Sequence, residues 1–124
     1  MAARYSEPLF VISVAARLVE MHPQTLRKYE REGLIAPSRT SGNLRLYSDE
    51  DIERLRQVKY LVETRGLNLA GVQLALELTQ SLRKLRAEMD RSPNGRAWKD
   101  DIDRILIDLG FVDERQVRES AQRK

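Results

Sequence analysis

The chain has 124 residues, of which 41% are hydrophobic and 33% charged, and its formal net charge is +3, so it is long enough for one modest domain with an extension. It has no cysteine and a single histidine, which excludes disulfide frameworks and thiolate metal sites and leaves no ligand set for a histidine metal cluster. The sequence shows neither a signal peptide nor an apolar stretch long enough to span a membrane, so we expect a cytoplasmic protein without membrane partners.

The first predicted elements are a short strand at residues 9–12 and a short helix. The helix is expected to begin at Ser13, whose hydroxyl can accept hydrogen bonds from the free amides of the first turn. Ala15, Leu18 and Val19 then give it one apolar face.

A second helix is predicted over residues 23–32. Pro23 suits the first helical position, where its missing N–H would be unpaired in any case, and Gly33 is a natural C-terminal stop. Leu26 and Tyr29 face the core. The outer face is basic and rich in hydrogen-bond donors, with Gln24, Arg27, Lys28 and Arg31.

Residues 35–47 predict a β-hairpin, because turn residues at 40–43 precede the alternating residues 44–47. Ser48 with Asp51 then resembles a capping box at the start of a long helix, which keeps its apolar spacing down to Gly66.

Asn68 is a good cap for the next helix, in which a heptad-like apolar seam is formed by Leu78, Leu82, Leu85 and Met89. The seam covers fewer than two heptads, so a coiled coil is suggested and not established. The four residues are either intramolecular core or a dimer contact. The two short helices before the hairpin predict a helix-turn-helix, and we favour the dimer because such proteins usually bind two half-sites as dimers. A last amphipathic helix is predicted over 97–109, ending at Gly110. We divide the chain into a DNA-binding domain (1–78), a dimerisation helix (79–92) and a short C-terminal helical regulatory segment (93–124).

The predicted fold class is mainly α, with a winged helix-turn-helix at the N-terminus. Residues 1–47 hold seven Lys and Arg against four Asp and Glu, whereas the rest of the chain is balanced. A local basic excess is typical of a surface that neutralises phosphates. A helix fits the major groove of DNA, and a hairpin wing can reach the phosphates or the minor groove. The helices, hairpin and basic excess together predict a nucleoid-associated protein that binds double-stranded DNA.

Several spaced elements resemble the N-terminal domain of MerR-type regulators over about residues 11–78. They are residues 12–15 (ISVA), 25–31 (TLRKYER), Gly33-Leu34, Pro37, Arg39, Gly42, Arg45, Tyr47 and Asp51-Ile52. Within that family, residues 22–27, 39–43 and 68–71 are most similar to the heat-shock repressors (the HspR subfamily) that control chaperone operons.

The resemblance implies roles for individual residues. Arg27 would read the groove with Gln24 and Lys28 beside it, Tyr29 would contact a phosphate, and Arg39 and Arg45 would act from the wing. The full candidate DNA-binding set is Ser13, Gln24, Thr25, Arg27, Lys28, Tyr29, Arg31, Arg39, Asn43, Arg45 and Tyr47. Tyr29 and Tyr47 can also be packing residues, since a tyrosine can bury its ring and still offer its hydroxyl.

Metal-sensing and drug-sensing relatives need cysteines or a large ligand domain, and the sequence offers neither. The resemblance therefore implies a homodimeric repressor at inverted-repeat operators, with a DnaK-type chaperone as co-repressor and no cofactor or metal. The C-terminal helix either folds back on the dimer or offers residues 105–109 to the chaperone.

Two other functions stay open: a MerR-type activator of stress genes, and a protein-interaction adaptor that uses the winged fold without nucleic acid. An enzyme is disfavoured because the sequence has no phosphate-binding glycine loop and no nucleophile–histidine pair. His22 is interpreted as a helix cap or a neighbour of a phosphate, and the carboxylates at 49–51 as capping charges at the start of a helix.

Overall fold

The computed structural model describes residues 5–93 and 95–111. The chain divides into two compact units, Met1–Lys59 and Tyr60–Lys124, each described separately. The predicted mainly helical fold with a small sheet is confirmed.

The first unit combines three helices with a three-stranded antiparallel sheet in the order β1-β3-β2. Its elements are β1 (Phe10–Val11), α1 (Ile12–Val19), α2 (Pro23–Arg31), β2 (Ser38–Arg39), β3 (Arg45–Tyr47) and α3 (Asp49–Lys59). Phe10 pairs with Tyr47, and Arg39 with Arg45. The predicted hairpin is therefore present, and its return strand lies in the middle of the sheet.

Helix α1 starts earlier than its sequence predicts. Its N-cap residue is Val11, with no side-chain cap, so the prediction that Ser13 caps this helix is wrong: the chain passes directly from β1 into the helix, and Ser13 lies inside the first turn. At the other end, Glu20 adopts a left-handed conformation (φ 56°) that stops the helix.

Helix α2 has the predicted boundaries to within one residue. The His22 Nδ1 atom accepts a hydrogen bond from the Gln24 N–H at 3.0 Å, which confirms the capping interpretation of this histidine. At the far end Gly33 has φ +79°, and the Leu34 N–H donates to the Tyr29 carbonyl at 2.9 Å.

The hairpin turn is closed by local hydrogen bonds. The Asn43 N–H donates to the Thr40 carbonyl at 2.9 Å, and the Leu44 N–H donates to Thr40 Oγ1 at 3.1 Å. The left-handed residue is Asn43 (φ 65°), a residue type that tolerates this conformation better than most. We call residues 38–47 the wing.

Helix α3 begins with the predicted capping box. The Ser48 N–H donates to Asp51 Oδ2 at 2.9 Å, and the Asp51 N–H donates to Ser48 Oγ at 3.1 Å. The reciprocal pair satisfies backbone donors at the helix start.

The second unit opens with a π-helical turn, Tyr60–Thr64, and Gly66, two residues after it, has φ +67°. The apolar spacing predicted one uninterrupted helix here, and the π-turn is a departure from it. Helix α4 (Leu69–Met89) follows, capped as predicted by Asn68, whose Oδ1 accepts from the Gly71 N–H at 2.9 Å.

Helix α5 (Gly95–Asp108) packs against α4. The contact includes an apolar cluster of Ile102 and Leu106 of α5 with Phe111, which follows the helix. Leu82 and Met89 of α4 pack onto this cluster, whereas Leu78 and Leu85 are 46% and 43% exposed. The predicted seam therefore divides into an intramolecular pair and an exposed pair.

The predicted domain division at residue 78 falls within α4, which runs without a break from Leu69 to Met89. The functional limits 1–78, 79–92 and 93–124 stay predictions. Residues beyond 111 lie outside the described part of the chain.

Candidate nucleic-acid interface

Helix α2 presents a polar face away from the core. Leu26 and Tyr29 are buried on one side, while Gln24, Lys28 and Arg31 are exposed and Arg27 is partly exposed on the other. Positions 24, 27, 28 and 31 share one helical face because residues three and four apart are neighbours. This face carries three cations.

Those three cations, Arg27, Lys28 and Arg31, have no hydrogen bond or ion pair with another described side chain. Guanidinium and ammonium groups without internal partners are available to acceptors on a ligand. The arrangement suits the acceptor-rich edges and phosphates of a duplex.

The two wing arginines converge on a single carboxylate of α2. Arg45 Nε lies 2.6 Å from Glu30 Oε1, and Arg39 Nη2 lies 2.9 Å from Glu30 Oε2. Arg39 Nη1 also donates to the Asn43 carbonyl at 3.1 Å. One acidic side chain thus joins the helix to both strands of the wing.

The electrostatics of Glu30 follow from these contacts. Its partial burial by itself would raise the pKa of the carboxyl, but the hydrogen bonds and charges of Arg45 and Arg39 outweigh burial and lower the pKa below its usual value. Glu30 is therefore ionised in the folded protein. Glu30 is not among the site residues predicted from the sequence, although an acid within an otherwise basic helix was a signal that could have found it.

Tyr47 is completely buried, and its hydroxyl has no hydrogen-bond partner among the described residues. Burial raises the pKa of this phenol. The sequence left Tyr47 as either a packing residue or a phosphate contact. The structure supports packing, because this residue has no surface accessible to a ligand.

Three other candidate residues flank the α2 face or the wing. Tyr29 is only 9% exposed, so its ring is mostly packing surface. Thr25 is half-buried at the start of α2, and Ser13 is exposed on α1. The Asn43 backbone supports Arg39, as described above, and its side chain is exposed at the wing tip.

The described residues contain no group of three or more histidine, cysteine or acidic side chains placed to hold a metal ion. Within that same part of the chain, no helix is both long and apolar enough to cross a bilayer.

The family model for the MerR HTH family regulatory protein matches residues 10–79. The chain belongs to the MerR family of helix-turn-helix transcription regulators. In this family assignment α1 and α2 are the helix-turn-helix and residues 38–47 the wing, so the predicted family and fold are confirmed.

Curated relatives extend the MerR assignment. The chain is 52% identical over 80 residues to a "Putative heat shock protein HspR" of Streptomyces coelicolor, covering 64% of this chain and 53% of that protein. It is 37% identical over 78 residues to the "HTH-type transcriptional regulator GlnR" of Bacillus anthracis, covering 63% of this chain and 60% of the relative. The match thus spans little more than half the length of these relatives. The predicted similarity to heat-shock repressors is confirmed.

A solved structure gives the same fold. The lead(II) complex of the transcription regulator PbrR691 from Ralstonia metallidurans CH34 superposes with a TM-score of 0.52 at 24% identity, covering 93% of this chain and 77% of that one. At this identity the likeness establishes the fold alone.

Proposed function

We propose that this MerR-family regulator is a dimeric repressor of heat-shock genes that binds inverted-repeat operators. The observation that carries the proposal is the row of cations on α2 that have no partner among the described residues, together with the two wing arginines held against α2 through Glu30. We propose that these side chains form one surface that binds phosphates and reads bases. The similarity to a protein named for heat shock supports the class of target genes.

The proposed contacts divide by chemistry. Arg27, with Gln24 and Lys28 beside it, reads base edges from the major groove, where arginine can donate twice to guanine acceptors. Wing residues contact phosphates, which fix register without reading sequence. The remaining contacts are proposed for Ser13, Thr25, Tyr29, Arg31, Arg39, Asn43 and Arg45.

Dimerisation is proposed through the exposed part of the α4 seam. Leu78 and Leu85 are exposed, and Leu74, which the sequence analysis missed, lies one turn before Leu78 and is 58% exposed. These leucines follow steps of four and seven residues and so lie on one side of α4. A stripe of this kind is suited to a second copy of α4, whereas Leu82 and Met89 are already used within the unit.

A DnaK-type chaperone is proposed as co-repressor. The segment suggested for its contact, residues 105–109, is part of α5, with Ile105 and Ile107 exposed but Leu106 buried in the apolar cluster. Gripping this segment in extended form would remove Leu106 from that cluster. We therefore propose the exposed Ile105 and Ile107 side chains as the accessible contact, and α5 as a whole as part of the fold.

The experiment that tests this function is genome-wide mapping of bound sites before and after heat shock, combined with transcript levels. We expect binding at inverted repeats upstream of chaperone genes, loss of occupancy on heat shock, and higher transcript levels when the protein is absent. Lower transcript levels in its absence would favour the activator, and no site enrichment above an Arg27→Ala control would contradict DNA-based regulation.

The chaperone can be tested separately with purified components. Adding a DnaK-type chaperone should tighten binding of the intact chain to a selected duplex, and the double variant Ile105→Ser/Ile107→Ser should weaken that effect while leaving duplex binding alone unchanged. Full enhancement in the double variant would contradict the proposed contact.

A further inference from the structure

Glu30 has an unusual position for an acid on a DNA-reading helix. Its side chain is 22% exposed, and it lies between Arg39 and Arg45, which are 34% and 26% exposed. Those two arginines are paired across the hairpin, one on each strand. A single carboxylate therefore connects α2 with both strands of the wing.

We propose that Glu30 is a positioning residue that sets the protein's discrimination between its operator and other DNA, by holding Arg39 and Arg45 in place beside α2. The inference rests on the proposed duplex binding. It adds a role for an acidic residue that would not itself touch the nucleic acid.

The hydrogen bonds leave the two arginines with different N–H groups free to donate to a ligand. Arg45 uses Nε for Glu30, and its two terminal nitrogens have no partner among the described residues, so they can donate to a phosphate while the ion pair stays intact. Arg39 uses one terminal nitrogen for Glu30 and the other for the Asn43 carbonyl. Arg39 is therefore held between the helix and the wing tip at both terminal nitrogens and keeps its Nε–H for a ligand, whereas Arg45 offers both terminal nitrogens.

Two physical effects follow from the contacts of Glu30 with Arg39 and Arg45. First, side chains already fixed in the unbound protein lose less conformational freedom on binding, which favours the duplex whose phosphates match the fixed geometry. Second, the carboxylate offsets one of the two positive charges, and this limits attraction to any phosphate backbone regardless of sequence. Both effects raise the ratio of specific to non-specific affinity.

The matched variants are Glu30→Gln and Glu32→Gln. Both remove one negative charge within two residues of each other, but the Glu32 side chain makes no ion pair with a described residue. The probes are a duplex selected by the wild-type chain from a randomised pool and a scrambled duplex of the same composition, each titrated over a series of salt concentrations.

We expect Glu30→Gln to bind the scrambled duplex more tightly, with a salt slope steeper by up to about one unit. The selected duplex should gain little, because the released arginines must be ordered again on binding, so the affinity ratio should fall roughly three- to tenfold. Glu32→Gln should change both duplexes alike and leave the ratio unchanged. If both variants changed the affinity ratio by the same factor, net charge would explain the change and the proposal would be overturned.

A second variant keeps the charge and guards against a folding defect in the first. Arg39→Lys retains the cation but cannot bridge Glu30 and the Asn43 carbonyl with a planar fork, so it should also lower the ratio. An unchanged affinity ratio in a folded Glu30→Gln protein or in Arg39→Lys would refute the proposed role of Glu30 and leave the proposed duplex binding intact. Failure of the wild-type chain to select any duplex would instead refute the proposed function.

Discussion

Lys59 Nζ lies 3.0 Å from the Glu20 carbonyl oxygen and 3.3 Å from that of Val19, so the last residue of α3 caps the end of α1. The carbonyls at a helix C-terminus lack partners within the helix, and a cation there also meets the negative end of the helix dipole. Since α1 packs against α2 in the helix-turn-helix, this contact helps to fix the helix that we propose reads the duplex.

Replacing Lys59 by methionine should lower the free energy of unfolding by roughly 1 kcal/mol, because the hydrogen bonds and the dipole interaction are lost while the aliphatic stem is kept. Chemical denaturation measures the change. Lys84→Met, at an exposed site on α4, is the control and should have little effect. A loss no greater than that of the control would show that the cap contributes nothing to stability.

Tyr47→Phe should raise the free energy of unfolding by roughly 1 kcal/mol, since it removes a buried hydroxyl that has no partner in the described part of the chain. The raised pKa of Tyr47 means that its neutral form is favoured in the fold; the associated stability is present below about pH 10 and lost at higher pH. The variant should therefore lack this part of the alkaline loss seen in the wild type. Unchanged duplex affinity would agree with a packing role, and a clear fall in affinity would restore Tyr47 as a phosphate contact.

The lowered pKa of Glu30 predicts a pH dependence of the unfolding free energy opposite in direction to that of Tyr47. Its ion pairs contribute stability above the unfolded pKa of about 4.3, and this contribution is lost as the pH falls through the lower folded pKa. We expect the wild type to exceed Glu30→Gln in unfolding free energy by about 1 kcal/mol or less near neutral pH. Thermal unfolding across the acid range should show the difference shrinking; a constant difference would mean that the carboxylate charge is not its cause.

Leu78→Glu should shift the chain from dimer to monomer, because it places a charge in the exposed stripe proposed for self-association. Analytical ultracentrifugation at a fixed concentration measures the change. Ile107→Glu, at a 61% exposed position on α5, introduces the same negative charge outside the stripe and should leave the mass unchanged. A Leu78→Glu protein that is still dimeric would exclude this side of α4 as the contact.

Sequence reasoning succeeded where the determinants are local. The Ser48–Asp51 box, the Asn68 cap and the hairpin turn each depend on residues within a few positions of one another, and their side-chain chemistry indicates the backbone conformation directly. The failed Ser13 cap shows the limit, since the preceding strand pairing with β3 decided where α1 begins.

The contacts that assemble the candidate site could not be predicted in this way. Glu30 meets partners nine and fifteen residues later, and only the folded hairpin brings them together. The seam on α4 had the same difficulty: spacing placed Leu78 and Leu82 in one apolar series, and the packing of α5 decided which of them is covered.

The proposed division of roles between α2 and the wing can be measured by comparing wild type, Arg27→Ala and Arg45→Ala on a selected duplex and on its scrambled counterpart. We predict that Arg27→Ala loses about 1 to 3 kcal/mol on the selected duplex and little on the scrambled one, whereas Arg45→Ala weakens both similarly and reduces the salt slope by about one unit. Equal losses on both duplexes for both variants would contradict the assignment of α2 as the reading helix and the wing as its phosphate contact.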